Sequence, residues 1–119
     1  TREIHYINMR RQQRRILLQV TKDAQKVQGH PPQEAEFRAL IGRIFAEYDR
    51  ENDCTSLLSA LHDLLAEMQR QPLPATRGEF EDRALLYVLL RRMEDFLLLK
   101  REFYETYGYE INHQLERKP

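Results

Sequence analysis

Tryptophan is absent, cysteine occurs once, and glycine and proline are scarce, at four and five in 119 residues. The single thiol, Cys54, forbids an internal disulfide and fits a reducing compartment. No apolar run exceeds residues 84–90, far short of the roughly 20 residues that a membrane span requires. The N-terminus is Arg-rich and amphipathic, unlike a secretory signal. The sequence opens on Thr1 rather than Met, which reads as the mark of an excised domain, so a membrane span upstream stays open. There is no glycine-rich phosphate loop, and no Ser-His-Asp arrangement can be argued from spacing.

What remains is a helix-forming composition. Charged residues make up 32% of the chain, and Arg, Glu, Leu and Gln abound with few breakers among them. That balance points to an all-helical protein, and the length to one domain around one core. Nineteen basic and nineteen acidic residues cancel, but unevenly along the chain. Residues 1–30 carry seven Lys/Arg against two acids, a net of +5. Residues 31–70 carry four against eight, a net of −4, and residues 71–119 eight against nine, a net of −1. The basic excess therefore falls on the first helix.

The stretch from Pro72 to Tyr107 organises the rest. Thr76 and Glu79 form a capping box, hydroxyl and carboxylate each able to take an orphan N–H of the first turn. Pro74 blocks an earlier start, and Gly108 suits a left-handed C-cap. Between them Leu86, Leu89, Leu90, Met93, Phe96, Leu97, Phe103, Tyr104 and Tyr107 recur at three- and four-residue spacing. One unbroken helix of about 46 Å follows at 1.5 Å per residue. Its apolar side needs cover from the other segments.

The first segment repeats Tyr6, Met9, Gln13, Ile16, Val20, Ala24 and Val27 in steps of three and four. Residues 29–32 end it and begin a second helix striped with Phe37, Leu40, Ile41, Ile44, Phe45 and Tyr48. Asn52-Asp53-Cys54-Thr55 is a turn offering several N-caps, and leads into a third helix with Leu57, Leu58, Leu61, Leu64, Leu65 and Met68. The predicted fold is all-α: an antiparallel up-down-up-down four-helix bundle with long first and fourth helices. It is one domain, with helices at about 2–28, 32–52, 55–71 and 77–107 and a tail over 108–119, where Ile111 and Leu115 can add a turn.

Two polar residues sit inside these stripes, Gln13 and Lys100. If Tyr6 lies opposite Tyr107, paired numbers sum to 113, so that Gln13 faces Lys100 and Val20 faces Met93. The pair then forms a polar layer that fixes helix pairing. Lys100 has a sharper reading as the seat of a small aromatic carboxylate beside Gln13, Tyr6 and Tyr104. Its blander reading is a packed alkyl stem with the ammonium at the edge.

Other chemistry is thin. Glu110 and His113 have the i, i+3 spacing of di-iron bundles, but one such pair without further inward carboxylates is no ligand set. His62-Asp63 lacks a second histidine cluster and reads as a solvated edge. Cys54 has no base beside it. No catalytic residue, metal ligand or cofactor is assigned. The cluster Arg10, Arg11, Arg14 and Arg15 has three readings: a solvated or paired face, a juxtamembrane segment drawn to anionic lipid, or a phosphate contact. Aromatics are not interleaved with these arginines, which argues against nucleic acid.

The stretch Pro72-Leu73-Pro74-x-Thr76-Arg77-x-Glu79-Phe80-Glu81-x-Arg83-Ala84-Leu85, with Met93-Glu94-x-Phe96-Leu97 and Lys100-Arg101-x-Phe103 beyond it, resembles the C-terminal domain of the bacterial aromatic acid exporter family. Tyr6-Ile7-x-Met9-Arg10-x-Gln12-Gln13 is similar to the start of that domain. The resemblance implies a helical appendage on the cytoplasmic side of an inner-membrane protein, without catalytic residues. It also implies a role in regulation, assembly or substrate sensing. Its partners would be the membrane portion of the same polypeptide, an anionic lipid surface next to Arg10, Arg11, Arg14 and Arg15, or a second copy. Lys100 and Arg101 are the matched cations open to a ligand role. The alternative is a free-standing helical interaction module, a chaperone or adaptor; a metal-dependent enzyme and an RNA-binding bundle rank below it.

Overall fold

A computed structural model describes residues 1–29, 31–47 and 54–117, those from 109 onward as backbone alone. Among the described residues there are four helices and no strand: α1 (Arg2–Ala24), α2 (Glu34–Glu47), α3 (Thr55–Arg70) and α4 (Arg77–Arg117). The helix α4 starts where the capping box places it. The Glu79 N–H donates to Thr76 Oγ1 at 3.1 Å, and the Glu79 carboxylate accepts from the Ala75 N–H at 2.8 Å. Two orphan donors at the mouth of the longest helix are thereby satisfied.

Two boundaries differ from expectation by more than two residues. Gly108 does not end α4, which continues to Arg117 and absorbs most of the predicted tail. No glycine has positive φ, so Gly108 stays right-handed. A glycine inside a helix costs only about 1 kcal/mol, and Ile111 and Leu115 carry the three-four spacing onward. The helix α1 stops at Ala24 rather than near residue 28. Its last amides fold into a tighter turn, with the Lys26 and Val27 N–H groups on the Asp23 and Ala24 carbonyls. The chain then turns the Gln28 and Gly29 amides onto the Asp82 carboxylate of α4, at 3.1 and 2.9 Å. At α3 the N-cap is Cys54, left-handed at φ 62° and without a side-chain cap bond. That conformation costs a non-glycine residue roughly 1–2 kcal/mol; it places the thiol in the core, 2% exposed. The caps expected at Asn52 and Asp53, like Tyr48 of the second stripe, lie outside the described residues.

The molecule measures 60 × 24 × 19 Å, and its long dimension is that of a 41-residue helix at about 1.5 Å per residue. Packing centres on α4: α1 and α3 both lie against it, and α2 lies against α3. Along the α1–α4 seam, His5 bonds the Tyr107 hydroxyl, the Tyr6 and Phe103 rings meet at 5.5 Å, Gln13 reaches Phe96, and Asp23 reaches Arg92. Partners on α4 thus run backward as α1 advances. The core joins Leu86, Leu89, Leu90, Met93, Phe96 and Leu97 of α4 to the α3 leucines and to Phe37, Leu40 and Ile44 of α2.

Each fully buried Leu or Phe contributes about 1.5–3 kcal/mol by leaving water, so α4, with seven of the eighteen buried hydrophobics among the described residues, holds the largest single share of the hydrophobic stabilisation. Phe96→Ala is expected to cost about 3–5 kcal/mol in urea unfolding. Leu18→Ala, on an exposed face, is expected to stay within about 0.5 kcal/mol.

Candidate functional site

Gln13 is 2% exposed on the inner face of α1, in the middle of the seam. Its amide donates to the Phe96 carbonyl at 3.0 Å and accepts from Arg10 Nη1 at 3.2 Å. The expected partner was Lys100. Phe96 stands one helical turn before it, so the pairing at Gln13 and Tyr6 sums to 109 rather than 113. A dry neutral amide is satisfied by a backbone carbonyl, which asks for no second buried charge. Lys100 is itself buried, 4% exposed, four residues along the same face of α4. The recess at Gln13 holds about 140 Å³ and is lined by Arg10, Arg14, Leu17 and Phe96 besides. That is below the few hundred Å³ of small-molecule pockets.

Arg10 departs from the basic quartet. It is half-buried, spent on Gln13, and its guanidinium stands 6.0 Å from the centre of the Tyr6 ring. Arg11, Arg14 and Arg15 are exposed, and no hydrogen bond or ion pair holds them among the described residues.

Two ion clusters bind α4 to its neighbours. Asp23, buried at the end of α1, accepts from Gln19 at 2.9 Å and from Arg92 at 2.8 Å, and pairs with Lys26 at 3.1 Å. The Gln19 hydrogen bond first, then Lys26, hold its carboxyl below the ordinary 3.8. On the opposite seam, His62 Nε2 of α3 meets Glu94 Oε2 at 2.6 Å, and Arg91 bonds the other oxygen at 3.1 Å. Burial pushes the Glu94 carboxyl up, but the His62 hydrogen bond and Arg91 outweigh it and leave it below 4.5. His62 is exposed at the edge of the stripe and is also tied to α4 through Glu94. Glu36 of α2 is the reverse case: a hydrogen bond with Glu67 of α3 raises its carboxyl above 4.5.

A recess of about 920 Å³ lies where the α1–α2 and α3–α4 connections meet the start of α4. Much of the sequence motif lines it: Pro72, Thr76, Glu79 and Arg83, joined by Gly29 and Asp82. Their polar atoms are largely engaged in the corner itself. Thr76 and Glu79 close the cap, Asp82 holds two loop amides, and Arg83 donates to the Pro72 carbonyl at 2.6 Å. A β-carbon on Gly29 would stand 2.7 Å from Asp82 Oδ2, so a side chain there would break this clasp. The acids Glu79, Glu81 and Asp82 outnumber Lys26 and Arg83 around the recess, which disfavours a carboxylate guest. Elsewhere in the motif, Arg77 pairs with Glu81 and Arg101 with Glu105. Phe96 and Phe103 are core, Leu73 and Phe80 are exposed, and Ala84 lines a shallow groove beside Phe80. Sequence reading missed Asp23, Asp82 and Arg92, and met Glu94 only as a motif position without a partner. Each is a charge that gains meaning only through a partner distant in sequence.

A family model described as "Putative aromatic acid exporter C-terminal domain" matches residues 1–101. The chain belongs to this family. "Uncharacterized protein YqjA" of Bacillus subtilis (strain 168) is 32% identical over 99 residues, which cover 83% of this chain and 31% of that protein. The chain therefore spans about a third of the length of the curated relative it matches. No solved structure matches it. In this exporter-family domain no described helix is long and apolar enough to cross a membrane. No metal-holding group of His, Cys, Asp or Glu occurs among the described residues, and the side chains of Glu110 and His113 lie outside them.

The shifted carboxyls give a pH signature with opposed signs. Asp23 and Glu94, depressed in the fold, contribute stability that is complete above their unfolded pKa and lost as pH falls through the folded value. Glu36, raised in the fold, contributes below its unfolded pKa and loses that contribution as pH rises through the folded value. Asp23→Asn and Glu94→Gln are therefore expected to flatten the loss of melting temperature on acidification below about pH 5. Glu36→Gln is expected to raise the melting temperature at neutral pH.

Proposed function

We propose that this domain is a non-catalytic assembly and regulatory element on the cytoplasmic side of an inner-membrane exporter, acting on the membrane portion of its own polypeptide. Family membership supports an exporter setting, and the observation that carries the role is how the polar residues are used. The motif residues Thr76, Glu79 and Arg83 close the corner at the start of α4, and Gln13 is spent on the α1–α4 seam. In this reading the four helices form an antiparallel up-down-up-down bundle, supported by the backward order of α4 partners along α1. Gln13 and Lys100 are positions that fix α1 against α4 rather than a ligand seat, and the small recess at Gln13 favours that choice over binding of an aromatic carboxylate.

A helical rod of this kind transmits position. Its long axis couples one end to the other because a packed core has discrete arrangements and does not deform smoothly. The experiment is excision of the domain from the full-length polypeptide, with the membrane portion left intact. Retention in the membrane fraction is checked by immunoblot, and efflux of labelled aromatic carboxylic acids is measured from cells. Efflux is expected to fall by roughly fivefold or more, the lower range of an allosteric coupling, while insertion persists. Unchanged efflux would overturn the reading.

A further inference from the structure

The outer face of α1 was not explained by the seam. At about 100° per residue, Ile4, Ile7, Arg11, Arg14, Arg15, Leu18 and Lys22 share one arc of about 100°, opposite Met9, Gln13 and Val20. Ile4, Ile7 and Leu18 are 57%, 52% and 65% exposed, on a helix whose inner face is already covered by α4. The arc contains no acid. Glu3 at its margin is paired with Arg2 at 3.3 Å, and Asp23 is turned inward onto Arg92. Four cations and three large aliphatics thus stand together along about 27 Å of helix, from residue 4 to residue 22, exposed among the described residues.

We infer that this strip docks on an anionic phospholipid surface, α1 lying in the plane of the bilayer interface with its arginines at the phosphates and Ile4, Ile7 and Leu18 entering the acyl boundary. The combination selects the occupant. Unpartnered cations call for a dense negative charge, and aliphatic side chains interspersed among them find hydrocarbon beside that charge only at a lipid headgroup layer. Nucleic acid supplies the charge but rewards aromatic rather than aliphatic side chains. The inference rests on the reading that the domain serves a membrane protein, and it names the face turned to the membrane. It also redraws the basic set: Arg10 leaves it and Lys22 joins.

The test is co-sedimentation of the purified chain with vesicles of phosphatidylcholine containing about one-third phosphatidylglycerol, against phosphatidylcholine alone, near physiological salt. Binding is expected to the anionic vesicles and to weaken as salt rises. Arg11→Gln, Arg14→Gln and Arg15→Gln together are expected to weaken it about a hundredfold, at roughly fivefold per cation. The triple Ile4→Ser, Ile7→Ser, Leu18→Ser variant is also expected to weaken it, with the circular dichroism spectrum and melting temperature unchanged because these positions are outside the core. No binding to anionic vesicles overturns the inference. So does equal or tighter binding to duplex DNA or RNA, or a dimer in sedimentation equilibrium that the serine variant dissociates. A domain that proves indispensable for export yet ignores vesicles sinks this inference alone.

Discussion

A 41-residue helix with one apolar side cannot stand in water alone, and covering that side of α4 is the constraint from which the rest of the fold follows. The aliphatic contacts supply the free energy but specify the register less sharply, because hydrophobic cores of similar volume lose uniqueness before they lose stability. Position comes from polar atoms spaced along the seam. Asp82 holds the Gln28 and Gly29 amides at one end, Asp23 binds Arg92 further on, Gln13 takes the Phe96 carbonyl in the middle, and His5 meets Tyr107 at the far end. The Gln13 bond is fully buried and the Asp23–Arg92 bond partly so, and an orphaned buried polar group costs about 1–3 kcal/mol. Together they set one register.

Much of this was legible before any coordinates. The capping box located the start of α4, the three-four spacing named nearly every core residue, and the polar intrusion at Gln13 marked where α1 meets α4. The register was read to within a turn, because spacing fixes the face of a helix but not its axial position. Other features were hidden for physical reasons. Gly108 carries a strong statistical signal for a cap, yet the cost of a helical glycine is small enough for neighbouring residues to override it. The early end of α1 is set by Asp82, more than fifty residues away in sequence. Arg10 looks like its neighbours in the basic run and differs only because the helix turns it toward Gln13. Cys54 adopts a left-handed conformation to bury its thiol, against the preference of its backbone.

The same helix therefore has two unequal sides. Its inner side is committed to α4 by shape and by buried hydrogen bonds. Its outer side combines charge and exposed aliphatic surface that the bundle does not use. At the other end of the molecule, the family motif forms a corner in which Thr76, Glu79, Asp82 and Arg83 brace two connections against the start of α4. The proposed assembly and regulatory role rests on this rod, braced at its ends and pinned along its length.

Amide hydrogen exchange on the purified chain tests the seam most directly. If the polar contacts lock α1 to α4, amides in the inner turns of α1 and those over residues 86–103 of α4 open together, in the slowest cooperative event of the molecule. Exchange of α1 in a separate, low-stability opening, with α3 and α4 still protected, would contradict the account.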